Sequence, residues 1–253
     1  MRDSLKALAL TWLLLMVGVA NGAPGRAQEV PTVVQNTGWL TCWNKEFKDY
    51  KSRAVRSRKL VAPDGISRAY VRVDARATDN SGAEAGNCEN RSALFVASAA
   101  GSDFQAVFVK EAVPSGPQGN GIQLVDWSAD SRFLLADLLT WYYYSEGWEH
   151  NILIFSSKTR AVTVISLNSL FSKALKKDCQ VDGQFRGFLK NGNLVFESRP
   201  FPVDEGETEP CDSRPVTWAV NWETGQVSEL TGRHTLPLAG HYEEGDRLSP
   251  SRP

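Results

Sequence analysis

The sequence predicts an all-β chain built as a propeller of about three four-stranded antiparallel blades. Three observations predict it. Ten short segments are rich in β-branched and aromatic residues and are separated by turn residues. One turn signal recurs at Asp64-Gly65, Asp130-Ser131 and Asn191-Gly192, in steps of 66 and 61 residues. A second recurs at Gly101-Ser102-Asp103, Lys158-Thr159-Arg160 and Glu223-Thr224-Gly225, in steps of 57 and 65. The signals interleave, so each repeat reads strand a, tight turn, strand b, variable loop, strand c, tight turn, strand d. Four-stranded meanders at a fixed period bury their faces on their neighbours, as propeller blades do. A β-sandwich is the alternative, and it would not require strands grouped in fours.

The elements follow in order. Arg2 and Lys6 precede Ala7–Ala20 ("ALALTWLLLMVGVA"), an apolar run of 14 residues. That is the length of a signal-peptide core and short of the roughly 20 needed to span a bilayer. Small residues at Ala20 and Gly22, or at Gly25 and Ala27, offer cleavage sites. Residues 1–27 are therefore read as a signal peptide, 28–239 as one domain and 240–253 as a polar, Pro-containing tail without fixed structure. No later run is apolar enough to span a membrane.

The first repeat supplies "SRAYVRVDA", "SALFVAS" and "FQAVFVKEA". The second supplies "GIQLVDW", "RFLLADLL", "NILIFSS" and "AVTVISL", and the third "NLVFES", "VTWAVNW" and "QVSEL". Between the second and third, "NSLFSKALKK" (Asn168–Lys177) predicts the one helix. Asn168 or Ser169 caps it, Leu170, Phe171, Ala174 and Leu175 form its apolar face, and Lys176 and Lys177 suit its negative end. Closed propellers have four or more blades. Val30–Phe47 and Arg233–Leu238 are expected to build part of a fourth; otherwise the ring stays open or closes by self-association into a homo-oligomer.

The b–c connection of the second repeat is the aromatic stretch "LTWYYYSEGWEH" (Leu139–His150). Strand b is expected from Arg132 to Tyr144, with Ser145-Glu146-Gly147 as a three-residue hairpin and strand c restarting at Trp148. That register sets Tyr144 opposite Trp148, Tyr143 opposite Glu149 and Tyr142 opposite His150. Two readings follow. The rings pack beneath neighbouring loops, or Trp141, Tyr142, Tyr143, Tyr144 and Trp148 project as a contact surface, with Glu146, Glu149 and His150 as its polar contacts.

The stretch "VDWSADSRFLLAD" (Val125–Asp137) resembles the blade signature of TolB-type propeller repeats. Trp127, Ser128, Asp130 and Leu134 match it, and Ser131 stands where Gly is usual. "LVAPDGISRAYVRVD" and "GFLKNGNLVFES" match more loosely and lack the Trp. The resemblance implies a fold and no one function, since such repeats serve in scaffolds, binding modules and accessory domains of peptidases.

All four cysteines, Cys42, Cys88, Cys179 and Cys211, follow the leader. An even count in an exported chain reads as two disulfides. The shortest spacing is 32 residues, which gives no close C-x-x-C pair for a metal. Of the three connectivities, the repeat plan favours Cys42–Cys88 and Cys179–Cys211, because each pair joins the start of strand a to the b–c loop of its own repeat.

Removing Arg2, Lys6, Arg26 and Asp3 leaves 25 bases against 28 acids, a net of −3. A nucleic-acid binder needs a basic footprint, so that class is excluded. The local cluster Lys51, Arg53, Arg56, Arg58 and Lys59 reads as a solvated edge strand protected by charge. No G-x-S-x-G elbow is present and there are only three His, so no catalytic residues are assigned. The acidic run Asp204, Glu205, Glu207 and Glu209 lacks the pattern of a calcium loop. No metal and no cofactor are expected. The leading expectation is a secreted or periplasmic binding protein that contacts a protein or a glycan through its b–c loop face. One alternative is a carbohydrate-active hydrolase using Asp126, Glu146 and Glu149, read as lying near one end of the second repeat. The other is a structural module completed by self-association.

Overall fold

Each expected a–b turn is a hydrogen-bonded reversal with a left-handed residue at its corner. Gly65, Ser131 and Gly192 have φ of 70°, 59° and 85°. Their N–H groups donate to the carbonyls of Ala62, Ser128 and Leu189 at 2.9, 2.8 and 2.9 Å. The preceding Asp or Asn closes each turn with its own side chain. Asp64 Oδ1 accepts from Ile66 N–H, Asp130 Oδ1 from Arg132 N–H and Asn191 Oδ1 from Asn193 N–H. This is why Asp or Asn recurs there: its carboxyl or amide oxygen replaces a backbone acceptor two residues on. Ser131 has a further tie, its Oγ accepting from Asp64 N–H at 3.0 Å and joining two successive turns.

The structure, a computed structural model, describes residues 31–35, 37–38, 53–77, 88–98, 102–113, 118–142, 148–202, 208–232 and 236–246. It is mostly β, in three sheets, none of them closed into a barrel among the described residues. The first holds β1 (Thr32–Val34), β2 (Arg53–Ser57), β3 (Leu60–Val61), β4 (Arg68–Ala77), β5 (Cys88–Ala97), β6 (Gln105–Lys110) and β15 (His241–Tyr242). The second is a four-stranded antiparallel meander of β7 (Gln118–Trp127), β8 (Phe133–Tyr142), β9 (Trp148–Ser156) and β10 (Val162–Ser166). The third repeats that plan with β11 (Asp182–Phe188), β12 (Leu194–Arg199), β13 (Val216–Asn221) and β14 (Gln226–Glu229).

The four-strand grouping holds in the first sheet too. There β2 and β3 pair with opposite halves of β4 and together form strand a. The terminal segments do not build a fourth sheet among the described residues. β1 pairs in parallel with β2, and β15 pairs antiparallel with β3. Both cover an edge whose unpaired N–H and C=O groups would otherwise face water.

The tail therefore differs from its expected lack of structure as far as Asp246. Its acids meet the basic cluster of strand a. Asp246 pairs with Arg56 at 2.7 Å and accepts from Lys59 N–H, and Glu243 pairs with Lys59 and Arg68 at 2.6 and 3.2 Å. Arg56, Arg58 and Lys59 of the cluster form a docking strip for the tail rather than a bare charged edge.

The second sheet is buried on both faces. Leu134, Ala136, Leu138, Leu153 and Phe155 pack with Val71, Val73, Leu94 and Val96 of the first sheet. Leu135, Ile152 and Ile154 pack with Leu194, Phe196 and Val220 of the third. Strand side chains alternate between faces, so a strand with two buried faces reads as a continuous apolar run. The sequence "FLLADLL" has that form.

The helix α1 (Leu167–Leu175) closes the second core with Leu167, Leu170 and Phe171. It starts one residue before the expected Asn168 and ends two before Lys177. Ser166, not Asn168 or Ser169, is the cap and accepts from Ser169 N–H. Asn168 is used differently, its Oδ1 accepting from Val181 N–H at 2.9 Å.

Cys179 and Cys211 form a disulfide, tying the entry of β11 to the b–c loop of the third repeat as the repeat plan requires. Cys42 and the side chain of Cys88 lie outside the described residues.

Candidate functional site

On β8 and β9 the odd and even positions face different sheets, and this alternation builds the site. Asp137 pairs with Ile152, Leu139 with His150 and Trp141 with Trp148. All six lie on the face turned toward the third sheet, near the b–c end. The third sheet answers with Asp182, the first residue of β11, paired in register with Arg199, the last of β12. Gly183 lets the two strands close up there, because a Cβ at that position would collide with the Glu197 carbonyl.

These residues form one polar chain. His150 Nδ1 lies 2.8 Å from Asp137 Oδ2, and His150 Nε2 lies 3.2 Å from Asp182 Oδ1. Asp182 Oδ2 in turn accepts from Arg199 Nε at 2.8 Å. His150 and Asp137 are 5% and 4% exposed, so the first link is inside the protein. Burial lowers the imidazolium's pKa, but the charges and hydrogen bonds of Asp137 and Asp182 outweigh it and hold His150 at about 9. Burial also raises Asp182, and hydrogen bonds from His150 and Arg199 outweigh that and keep its carboxyl below the usual range.

The chain lines a cleft of about 520 Å³ between the second and third sheets and joins its two sides. Leu139 and Trp148 line it from the second sheet, and Gln184, Pro215 and Thr217 from the third-sheet side. Ser198 also lines the cleft, its Oγ 2.5 Å from Asp212 Oδ2, which also accepts from Trp218 Nε1 at 3.0 Å.

His150 is protonated at neutral pH and both of its nitrogens are engaged, so it has no lone pair to offer a substrate or a metal. Among the described residues no group of three or more His, Cys, Asp or Glu is arranged to hold a metal ion. No helix of the described residues is long and apolar enough to cross a membrane.

Compared with known proteins, the chain matches no family model, and no curated protein matches it.

The residues expected at the site are placed as follows. Trp141 is 1% exposed, with its ring 6.1 Å from that of Trp148. Gly119, its partner on β7, leaves room for the indole. Tyr142 is 54% exposed. Glu149 is exposed and accepts from Thr140 Oγ1 at 3.2 Å. His150 is buried in the chain just described. Tyr143, Tyr144 and Glu146 lie outside the described residues.

The expected hairpin register is corrected. Trp148 lies opposite Trp141, Glu149 opposite Thr140 and His150 opposite Leu139. β8 is described from Phe133 to Tyr142, and its expected continuation over Tyr143 and Tyr144 lies outside the described residues. The expected Ser145-Glu146-Gly147 hairpin lies outside the described residues.

The carboxylate grouping is also corrected. Asp126 pairs with Leu135 and Glu149 with Thr140, five positions apart along β8, or about 17 Å. Asp126 is instead a pin for the C-terminal segment, accepting from Ala239 and Gly240 N–H at 2.9 Å each.

Asp137, Asp182 and Arg199 were not legible as a group, because three separate strands bring them to His150. The one local signal was Asp137, the only charge in an apolar run that reads as buried on both faces.

Proposed function

We propose that this chain is an exported, propeller-like binding protein that contacts a protein or a glycan through the b–c ends of its second and third sheets. The observation that carries this is the cleft of about 520 Å³ at those ends, walled by Trp148 and by the Asp137–His150–Asp182–Arg199 chain. Clefts of about 300–1,000 Å³ with apolar walls and a few placed polar groups are the usual form of ligand sites.

Three features support the radial arrangement. The meanders repeat in the order a, b, c, d, and successive sheets bury their faces on one another. The a strands of the second and third sheets also approach around Asp126, which touches the C-terminal segment and lies beside Gly187 of β11. Export is supported by the leader-like first 27 residues and by the Cys179–Cys211 disulfide, a bond that persists in oxidising compartments. The fold reading agrees with the TolB-type resemblance around Trp127, which is fully buried.

Binding is favoured over hydrolysis because the carboxylates of the cleft are committed. Asp137 and Asp182 neutralise His150, and Asp182 and Glu197 hold Arg199 and Arg186. The test is a photo-crosslinking residue placed at Tyr142, exposed at the b–c end of β8, or at Glu223, on the a–b and c–d turn end. Ligand captured from Tyr142 and not from Glu223 is the expected result. Capture from Glu223 alone contradicts the assigned face.

A further inference from the structure

Asp137 Oδ1 is a buried carboxylate oxygen with no hydrogen-bond partner among the described residues. Its sister oxygen is taken by His150, and the residue lines the b–c cleft. A buried acceptor left unmade is costly, and a donor arriving from the cleft would satisfy it. Asp137 is only 4% exposed, so the donor must be small.

The charge of the wall narrows the donor. Asp137 and Asp182 are balanced by protonated His150 and by Arg199, and Glu197 is paired with Arg186 at 2.6 Å. A cationic ligand would meet His150 and Arg199; an anionic one would meet Asp137, Asp182 and Glu197. A neutral hydroxyl meets neither penalty. Gln123 and Gln184 add amides that both donate and accept. Trp148 adds an aromatic face, large and rigid, of the kind on which the apolar side of a sugar ring rests.

We infer that the cleft binds a neutral saccharide, with one hydroxyl donating to Asp137 Oδ1 and one ring lying against Trp148. This rests on the b–c face being the binding face and names the ligand class that face takes. The bound sugar satisfies the open acceptor without disturbing the internally neutral wall.

The test is an array of neutral oligosaccharides probed with the chain lacking residues 1–27. The strongest binder is then titrated in solution at pH 7.5, followed by tryptophan fluorescence. A neutral glycan is expected to be retained, and Trp148→Ala and Asp137→Asn are each expected to weaken it at least tenfold. Glu223→Gln, at the far end, is expected to leave affinity within twofold. If Asp137→Asn does not fold, Trp148→Ala still decides, since it leaves the Asp137–His150–Asp182 chain in place. Retention of no neutral glycan overturns the inference, as does a glycan whose affinity is unchanged in Trp148→Ala. If a crosslinker at Tyr142 nevertheless captures a protein or peptide, only the saccharide inference falls. If capture and glycan binding both depend on the Glu223 end, the b–c face falls with it.

Discussion

His150 on β9 and Asp182 on β11 lie 3.2 Å apart, Nε2 to Oδ1, and this ion pair crosses from the second sheet to the third. Asp137 holds the other side of the ring at 2.8 Å, so one imidazole joins a buried strand to the rim of the cleft. Site geometry and sheet packing therefore depend on the same three side chains.

The pair makes stability pH-dependent with a definite sign. His150 is held at about 9 against an ordinary 6.5, so its contribution is whole below about pH 6.5 and is lost as pH rises through about 9. The full shift corresponds to about 3 kcal/mol. Urea melts at pH 6, 8 and 10 are expected to show wild type losing stability relative to His150→Gln as pH rises. A constant difference across that range contradicts the pairing.

Asp137→Ala removes the deeper partner and leaves a buried imidazolium half compensated. Breaking such a pair costs about 3–5 kcal/mol. Asp182→Ala, nearer the surface, should cost about 2 kcal/mol, the scale of one charged hydrogen bond. Equilibrium denaturation of the two variants checks the order.

Neighbouring aromatic residues should behave oppositely. Trp141 is 1% exposed and Tyr142 is 54% exposed. Trp141→Ala is expected to cost about 3–5 kcal/mol. Tyr142→Ala should stay within about 0.5 kcal/mol, as exposed substitutions do. Equal losses in denaturant melts would contradict the observed alternation.

Much of the sheet plan was legible because local chemistry writes it. Asp64, Asp130 and Asn191 close their own turns with side-chain oxygens, so the turn signal and the turn are the same fact. The b–c register was not legible. Three tyrosines in a row suit a strand on either face, and nothing local tells a register that sets Trp148 opposite Tyr144 from one that sets it opposite Trp141. Trp141 finds its place through Gly119 on another strand. The tail was misread for a related reason. Its polarity suggested water, but Glu243 and Asp246 are matched by Arg56, Lys59 and Arg68, more than 170 residues earlier. That His150 is buried was not legible either, because its partners are a strand away in Asp137 and a sheet away in Asp182.

The disulfides test the repeat phasing. The Cys179–Cys211 bridge spans 32 residues, and closing a loop of that size stabilises by about 3–4 kcal/mol. The double change Cys179→Ser, Cys211→Ser should lose that amount in denaturant melts. Non-reducing peptide mapping should also yield a Cys42–Cys88 peptide. A Cys88–Cys179 peptide would contradict the phasing.

The proposed binding face has ligand entering between the second and third sheets at their b–c ends. Amide chemical-shift mapping tests it most directly, with ¹⁵N-labelled chain lacking residues 1–27 and the strongest neutral glycan from the array. Shifts are expected to concentrate at Leu139, Trp148, His150, Gln184 and Thr217. Shifts concentrated instead around Asn191, Asn193 and Glu223, at the opposite end of the sheets, would contradict it.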